Sequence, residues 1–201
     1  TNFRYLSKKW SNNTAEECLL GVSITGNMDH EVLGSLDIDG LSDLAEKLKN
    51  HAVKVNKEWA EKIGVNQSTA ITCCKPSGTV SQLVDSASGI HPRYSEYYIR
   101  TVRADKKDPL ARMMEDAGFP VEDDVMKPDS TCIFSFPIKT ENPNAVYRND
   151  RTALQQLTHW LAFQRAFCEH KPSVTIYVKE HEWLEVGAWV YKHFDEISGI
   201  S

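Results

Sequence analysis

Short apolar runs alternate with longer amphipathic stretches along most of this chain. Leu19-Leu-Gly-Val-Ser-Ile-Thr25 is rich in β-branched residues and closed by Gly26, which predicts a buried strand. Ser42 then stands as a cap ahead of Leu44, Leu48, Ala52, Val55 and Trp59, which recur every three to four residues and stop at Gly64. That is the period of a helix burying one face. Thr69-Ala-Ile-Thr-Cys-Cys74 predicts a second buried strand, which runs through Pro76-Ser-Gly78 into a helix start at Val80-Ser-Gln-Leu-Val84.

The alternation continues to the end. Tyr98 to Arg103 alternates apolar and polar residues, as a strand with one wet face does. Asp108 and Pro109 cap and open a helix through Ala117, with Gly118 as its stop. Ser130 to Phe136 predicts a strand ended by Pro137, and Asp150 caps a helix running through Leu154, Leu157, Trp160, Leu161, Ala166 and Phe167. A last strand is expected at Ser173 to Val178 and a closing helix over Glu180 to Asp195. Residues 1 to 17 read as a helix end, a polar turn at Ser11-Asn-Asn-Thr14, and a short helical stretch capped by Thr14. Asn27 to Gly40 and Glu141 to Asn149 read as loops. Strands alternating with helices predict an α/β fold with a mostly parallel sheet, of which part of a barrel is one form. No repeat, low-complexity linker or internal boundary interrupts the pattern, so 1–201 is read as a single domain. The absent initiator Met and the apolar residues Phe3, Tyr5, Leu6 and Trp10 near the start suggest a fragment.

Composition narrows the classes. The 201 residues are 41% hydrophobic and 25% charged, enough apolar content for a packed core. With 23 basic and 28 acidic residues the formal charge is -5, which gives no overall attraction to nucleic acid. No stretch approaches the ~18 to 20 apolar residues a membrane helix needs, and Thr1-Asn-Phe-Arg4 does not begin a signal pattern. A cytoplasmic protein is expected, without a membrane or nucleic-acid partner. Five scattered cysteines lack the spacing of a zinc site, so reduced thiols and no metal site are expected.

The segment Lys75-Pro-Ser-Gly-Thr-Val-Ser81 carries the clearest chemistry. Gly78 would let the backbone turn and approach a ligand, the following helix would offer N–H groups and a positive dipole end, and Ser77, Thr79 and Ser81 would add hydroxyl donors. It is neither a P-loop nor a dinucleotide fingerprint, and a capped helix start packed with small residues explains it as well. Cys73 and Cys74 would face opposite sides of a strand and read as core thiols rather than a redox pair. His91, between Gly89 and Pro92, is a possible substrate-side residue or an ordinary loop histidine. The basic cluster Arg100, Arg103, Lys106 and Lys107 is interleaved with Asp105 and Asp108, as a solvated face is, and His181 and His193 lack the spacing of a zinc helix.

Beyond chemistry, the string Lys75 to Leu83, followed by Asp85-Ser-Ala-Ser-Gly-Ile-His-Pro-Arg-Tyr94 and Tyr98-Ile-Arg-Thr-Val-Arg103, resembles the adenosylcobalamin-dependent (class II) ribonucleotide reductases of the ribonucleoside-triphosphate type. Two further blocks agree, Leu19 to His30 and Ser173 to Trp183, so the likeness covers essentially the whole chain. The resemblance implies roughly the second half of a ten-stranded α/β barrel with mostly parallel strands alternating with helices. It implies an oxidoreductase that makes deoxyribonucleotides for DNA synthesis by radical chemistry, with adenosylcobalamin as cofactor and a ribonucleoside triphosphate as substrate. Its partners would be the remainder of the barrel and a thiol reductant such as thioredoxin. The family's substrate-phosphate loop aligns with Pro76, Ser77, Gly78, Thr79, Val80 and Ser81. Its radical-bearing Asn-Pro-Cys-Gly-Glu motif does not occur in the sequence. No catalytic residue is therefore expected within 1–201, the residues contacting the corrin stay unassigned, and a stand-alone nucleotide- or phosphate-binding module without catalytic activity remains the alternative.

Overall fold

The computed structural model describes residues 3–201; the first two positions of the 1–17 reading lie outside the described residues. Helix α1, Lys8–Glu17, passes straight through Ser11 to Thr14 and ends at Cys18 in the left-handed region, φ 45°. The polar turn expected there is helical, and none of the helix's residues is buried. Tyr5, Leu6 and Trp10 are exposed, so an apolar pattern near the start did not mark a core. Strand β1, Val22–Ser23, pairs in parallel with β2, Thr72–Cys73, in the register Val22↔Thr72 and Ser23↔Cys73.

Between them runs α2, Ile38–Ile63. It starts before Ser42 because Asp37 is the cap, accepting the Gly40 N–H at 3.2 Å, and it stops at Gly64 with φ 72°. Leu41, Ala45 and Ala60 are its buried residues, whereas Leu48, Val55 and Trp59 remain exposed along a groove of about 600 Å³ beside β1. The helical period was legible, but the residues that it buries sit one step round the helix from the expected stripe. Helix α3, Val80–Leu83, is one turn.

Contacts divide the chain into two compact units, 1–93 with 142–201, and 94–141. In the second, β3, Tyr97–Asp105, α4, Pro109–Asp116, β4, Val121–Asp123, and β5, Thr131–Lys139, form an antiparallel sheet ordered β3-β5-β4 with one helix. Asp108 caps α4 as expected, accepting from Leu110 N at 2.8 Å. Strand β5 continues past Pro137, opposite Ile99, because β4 covers only Cys132 to Phe134 and a residue without an N–H is tolerated beside an open edge. Ala111, Cys132 and Phe134 are the small core. Arg103 meets Asp124 at 2.5 Å and Lys106 meets Asp123 at 2.5 Å, so part of the basic cluster is neutralised locally.

The core of the first unit lies against α5, Ala153–Ala166, where Trp160, Leu161 and Phe163 are buried with Leu41, Cys74, Ile90 and Phe167, and Leu157 with Ala153 and Val186. Its cap is Thr152, not Asp150: Thr152 Oγ1 accepts from Gln155 N while the Gln155 side chain accepts from Thr152 N, a reciprocal capping box. Helix α6, Trp183–Lys192, is shorter than the expected closing helix and flanked by 3-10 turns at Glu180–Glu182 and Phe194–Glu196. Ser173 to Val178 forms no regular strand. Scattered bonds hold it instead, Ser173 N to Cys74 O at 3.2 Å, Ile176 N to Ser201 O at 2.8 Å and Tyr177 N to Gln156 Oε1 at 3.2 Å, and an apolar run becomes a strand only where a neighbour completes the ladder. The α/β class is borne out, with parallel pairing between β1 and β2 and an isolated parallel bridge between Arg93 and Tyr147.

Candidate functional site

Parallel pairing brings the carboxyl ends of β1 and β2 to the same side, where the chain leaves both strands through loops. Crevices at such strand ends are where open α/β sheets place ligands. Here a cavity of about 350 Å³ is lined by Ser23 at the end of β1, Thr25 just after it, and Lys75, Pro76, Ser77, Gly78, Thr79 and Val80 after β2. Five of the six loop residues named from the sequence thus share one cavity.

Ser81 does not. It is fully buried, its N–H donates to Ser77 Oγ at 2.8 Å and its hydroxyl donates to Ser77 O at 2.9 Å. Its work is to close the turn behind the loop rather than to face a ligand. His91 also lies off the cavity wall; it is partly buried, its Nδ1 is 3.1 Å from Ser88 O, and burial lowers its pKa. It reaches the loop only through Ser88, whose hydroxyl accepts from Ser77 N at 2.7 Å.

Two parts of the sequence rationale change. The loop was expected to lead into a helix whose dipole favours anions, but α3 is a single turn and gives little macrodipole. What remains is local: the hydroxyls and the ammonium of Lys75, since the Ser81 N–H already bonds Ser77 Oγ and those of Gln82 and Leu83 bond Thr79 O. Gly78 was expected to permit the turn, yet it is not among the residues with positive φ, and a Cβ there would meet nothing within 4 Å. Its lack of a side chain keeps the cavity open. The conformational demand falls on Gly89, with φ 54°, where a Cβ would lie 3.0 Å from Lys75 O.

A dense set of bonds backs the loop. Thr25 Oγ1 donates to Ala87 O at 3.0 Å and accepts from Gly89 N at 3.0 Å, and Gly26 N donates to Ala87 O at 2.7 Å. Asn27 Nδ2 donates to Gly89 O at 2.9 Å, and Lys75 N donates to Ser23 Oγ at 3.0 Å. Residues 25–27 of one sequence block and 87–89 of the other are therefore one spatial feature. Ser23 and Thr25 are lining residues that the loop motif did not name; their signal was a pair of hydroxyls alternating with Val22 and Ile24 at a strand end.

Cys73 and Cys74 are both buried, as core thiols are. Cys74 hydrogen-bonds to Cys168, and that bond together with burial pushes its thiol pKa far up; burial also raises Cys73 against the opposing hydrogen bond from Ser23. Protonated thiols are poor nucleophiles, which leaves this cluster packing rather than redox chemistry.

No family model matches the chain. Among curated proteins, the adenosylcobalamin-dependent ribonucleoside-triphosphate reductase of Lactobacillus delbrueckii subsp. bulgaricus is 28% identical over 146 residues, 71% of this chain and 20% of that protein. The reductase of the same name from Euglena gracilis is 29% identical over 177 residues, 80% of this chain and 24% of that protein. The Lactobacillus gasseri reductase is 36% identical over a shorter 93 residues. The chain is homologous to part of these reductases. It spans about 20% of the length of the first of them. A crystal structure of a B12-dependent (class II) ribonucleotide reductase superposes with a TM-score of 0.78 at 22% identity, covering 95% of this chain and 30% of that one. The fold is accordingly that of a portion of the class II reductase, as the resemblance implied, and a partial barrel fits it.

Proposed function

We propose that this chain is a segment of an adenosylcobalamin-dependent ribonucleoside-triphosphate reductase, a cytoplasmic enzyme reducing ribonucleotides to deoxyribonucleotides, and that its loop Pro76 to Ser81 holds the substrate's phosphates. The observation that carries the reading is the convergence of both parallel strand ends on one donor-rich cavity. Hydroxyl groups and one lysine are donors that phosphate oxygens accept from, and an open glycine lets them come close. Pro76 to Val80 line the pocket, Lys75 and Ser23 flank it, and Ser81 fixes Ser77 from behind. His91 takes a supporting place on the substrate side through Ser88.

In the parent enzyme adenosylcobalamin would supply the radical chemistry. A cavity of about 350 Å³ is too small for a corrin macrocycle, so the loop is assigned to substrate and no step is drawn through the cofactor. The thiyl-bearing cysteine, the remainder of the barrel and the reduction by a thiol protein such as thioredoxin belong to the rest of the reductase.

Calorimetric titration of the chain with a ribonucleoside triphosphate tests the loop. Gly78→Val would place two methyl groups in the open approach and should weaken binding at least tenfold; equal affinity in parent and variant would refute the phosphate assignment. Incubation of the chain alone with adenosylcobalamin, a dithiol and the triphosphate should give no deoxynucleotide, and any turnover would overturn the assignment of the radical centre to the rest of the enzyme.

A further inference from the structure

The loop's shape depends on a buried cation that never reaches the cavity. Arg93 is 8% exposed and does not line the pocket, yet its guanidinium bonds two aspartates, Asp29 and Asp85, through their carboxylates and one backbone carbonyl. Nε donates to Asp29 Oδ1 at 2.7 Å and Nη2 to Asp29 Oδ2 at 2.9 Å, a bidentate fork. Nη1 donates to Asp85 Oδ1 at 2.9 Å, and Nη2 also to Asp85 O at 2.6 Å. Asp29 Oδ2 accepts in addition from Ala87 N at 2.6 Å.

The position of Asp85 gives this arrangement its leverage. It directly follows Val84, the C-cap of α3, and it adopts φ 46°, a left-handed conformation that an aspartate holds only at some expense. Burying a guanidinium is itself unfavourable unless its donors are matched, so the matched geometry is strongly preferred over a shifted one. We propose that Arg93 is a positioning residue: through Asp29 and Asp85 it locks the exit of the loop 75–84 onto the segment 25–29, setting the spacing of the phosphate-facing donors. The side chains of Arg93 and Asp29 are each 7% exposed, while that of Asp85 is 62% exposed. Asp85 is therefore the member that can be changed without opening the core. This proposal rests on the phosphate reading of the loop.

The test compares Asp85→Gly with Asp85→Asn in the 201-residue chain. Glycine accepts φ 46° freely but removes the carboxylate; asparagine tolerates the same conformation and keeps an acceptor for Nη1. Two readouts apply: amide hydrogen exchange of residues 77–84 without ligand, and affinity for inorganic triphosphate and for ATP by calorimetry. Asp85→Gly should exchange faster over the loop and bind both probes about tenfold more weakly, with its melting temperature close to the parent's, and Asp85→Asn should restore most of the affinity. Arg93→Lys, which loses the fork, should weaken binding at least as much where it folds. Loop exchange and affinity at the parent's level in Asp85→Gly would overturn the positioning role alone. Failure of the parent to bind either probe would overturn the phosphate reading and this proposal with it.

Discussion

The loop 75–80 and the segment 85–93 behind it are close in sequence and opposite in construction. The first is exposed, lines a cavity, and carries a glycine whose missing side chain touches nothing. The second is pinned at nearly every residue: Ala87 and Gly89 by Thr25, Gly26 and Asn27, Ser88 by Ser77, and Arg93 by two aspartates. A face that must meet a ligand can hold its geometry only if the segment behind it is firmly bonded. Stability and binding should accordingly separate between the two regions.

Removing the buried carboxylate attacks the backing hardest. Asp29→Ala leaves the Arg93 guanidinium without its fork, and urea denaturation should show a loss of roughly 3 to 5 kcal/mol, as for one partner of a buried pair; a loss under about 1 kcal/mol would mean that water replaces the aspartate readily.

Acid acts next, on the core of the same unit. His159 is almost fully buried, its Nε2 lies 2.8 Å from Leu33 O, and burial lowers its pKa to about 4. Its folded pKa lies below its unfolded one, so the unfolded chain binds more protons between pH ~6.5 and ~4 and stability falls as pH drops through that window. The contribution should approach 3 kcal/mol near pH 4. Urea midpoints for parent and His159→Gln at pH 7, 5 and 4 isolate it, since the carboxylates common to both cancel; parallel curves would remove histidine from the account.

The two glycines give the sharpest contrast. Gly89→Ala meets both a positive φ and Lys75 O, and should destabilise by about 1 to 3 kcal/mol in denaturant. Gly78→Val should change stability by no more than about 0.5 kcal/mol while affecting binding. A reversal of that order would show that the loop, rather than its backing, carries the strain.

Much of this was legible in the sequence, and the exceptions have physical causes. The caps at Asp108 and the stops at Gly64 and Gly118 were readable because local hydrogen bonding and backbone freedom decide them. The cap of α5 moved to Thr152 because its reciprocal bond with Gln155 outcompetes Asp150, which instead accepts from Tyr147 N at 2.8 Å. Strand direction was not readable at all: β3 and β5 have the same alternation in either orientation, and only the turn through α4 and β4 made them antiparallel.

By itself, the sequence determined the order of strand, loop and helix around Pro76 to Ser81 and the kinship with class II reductases, because short-range propensity and motif order survive without a fold. Which of those residues face a ligand was decided only by the tertiary structure. Ser81 turned inward, Ser23 and Thr25 arrived from another strand, and Gly89 took the conformational burden first assigned to Gly78. Facing is a property of contacts between distant segments, and no local pattern records it.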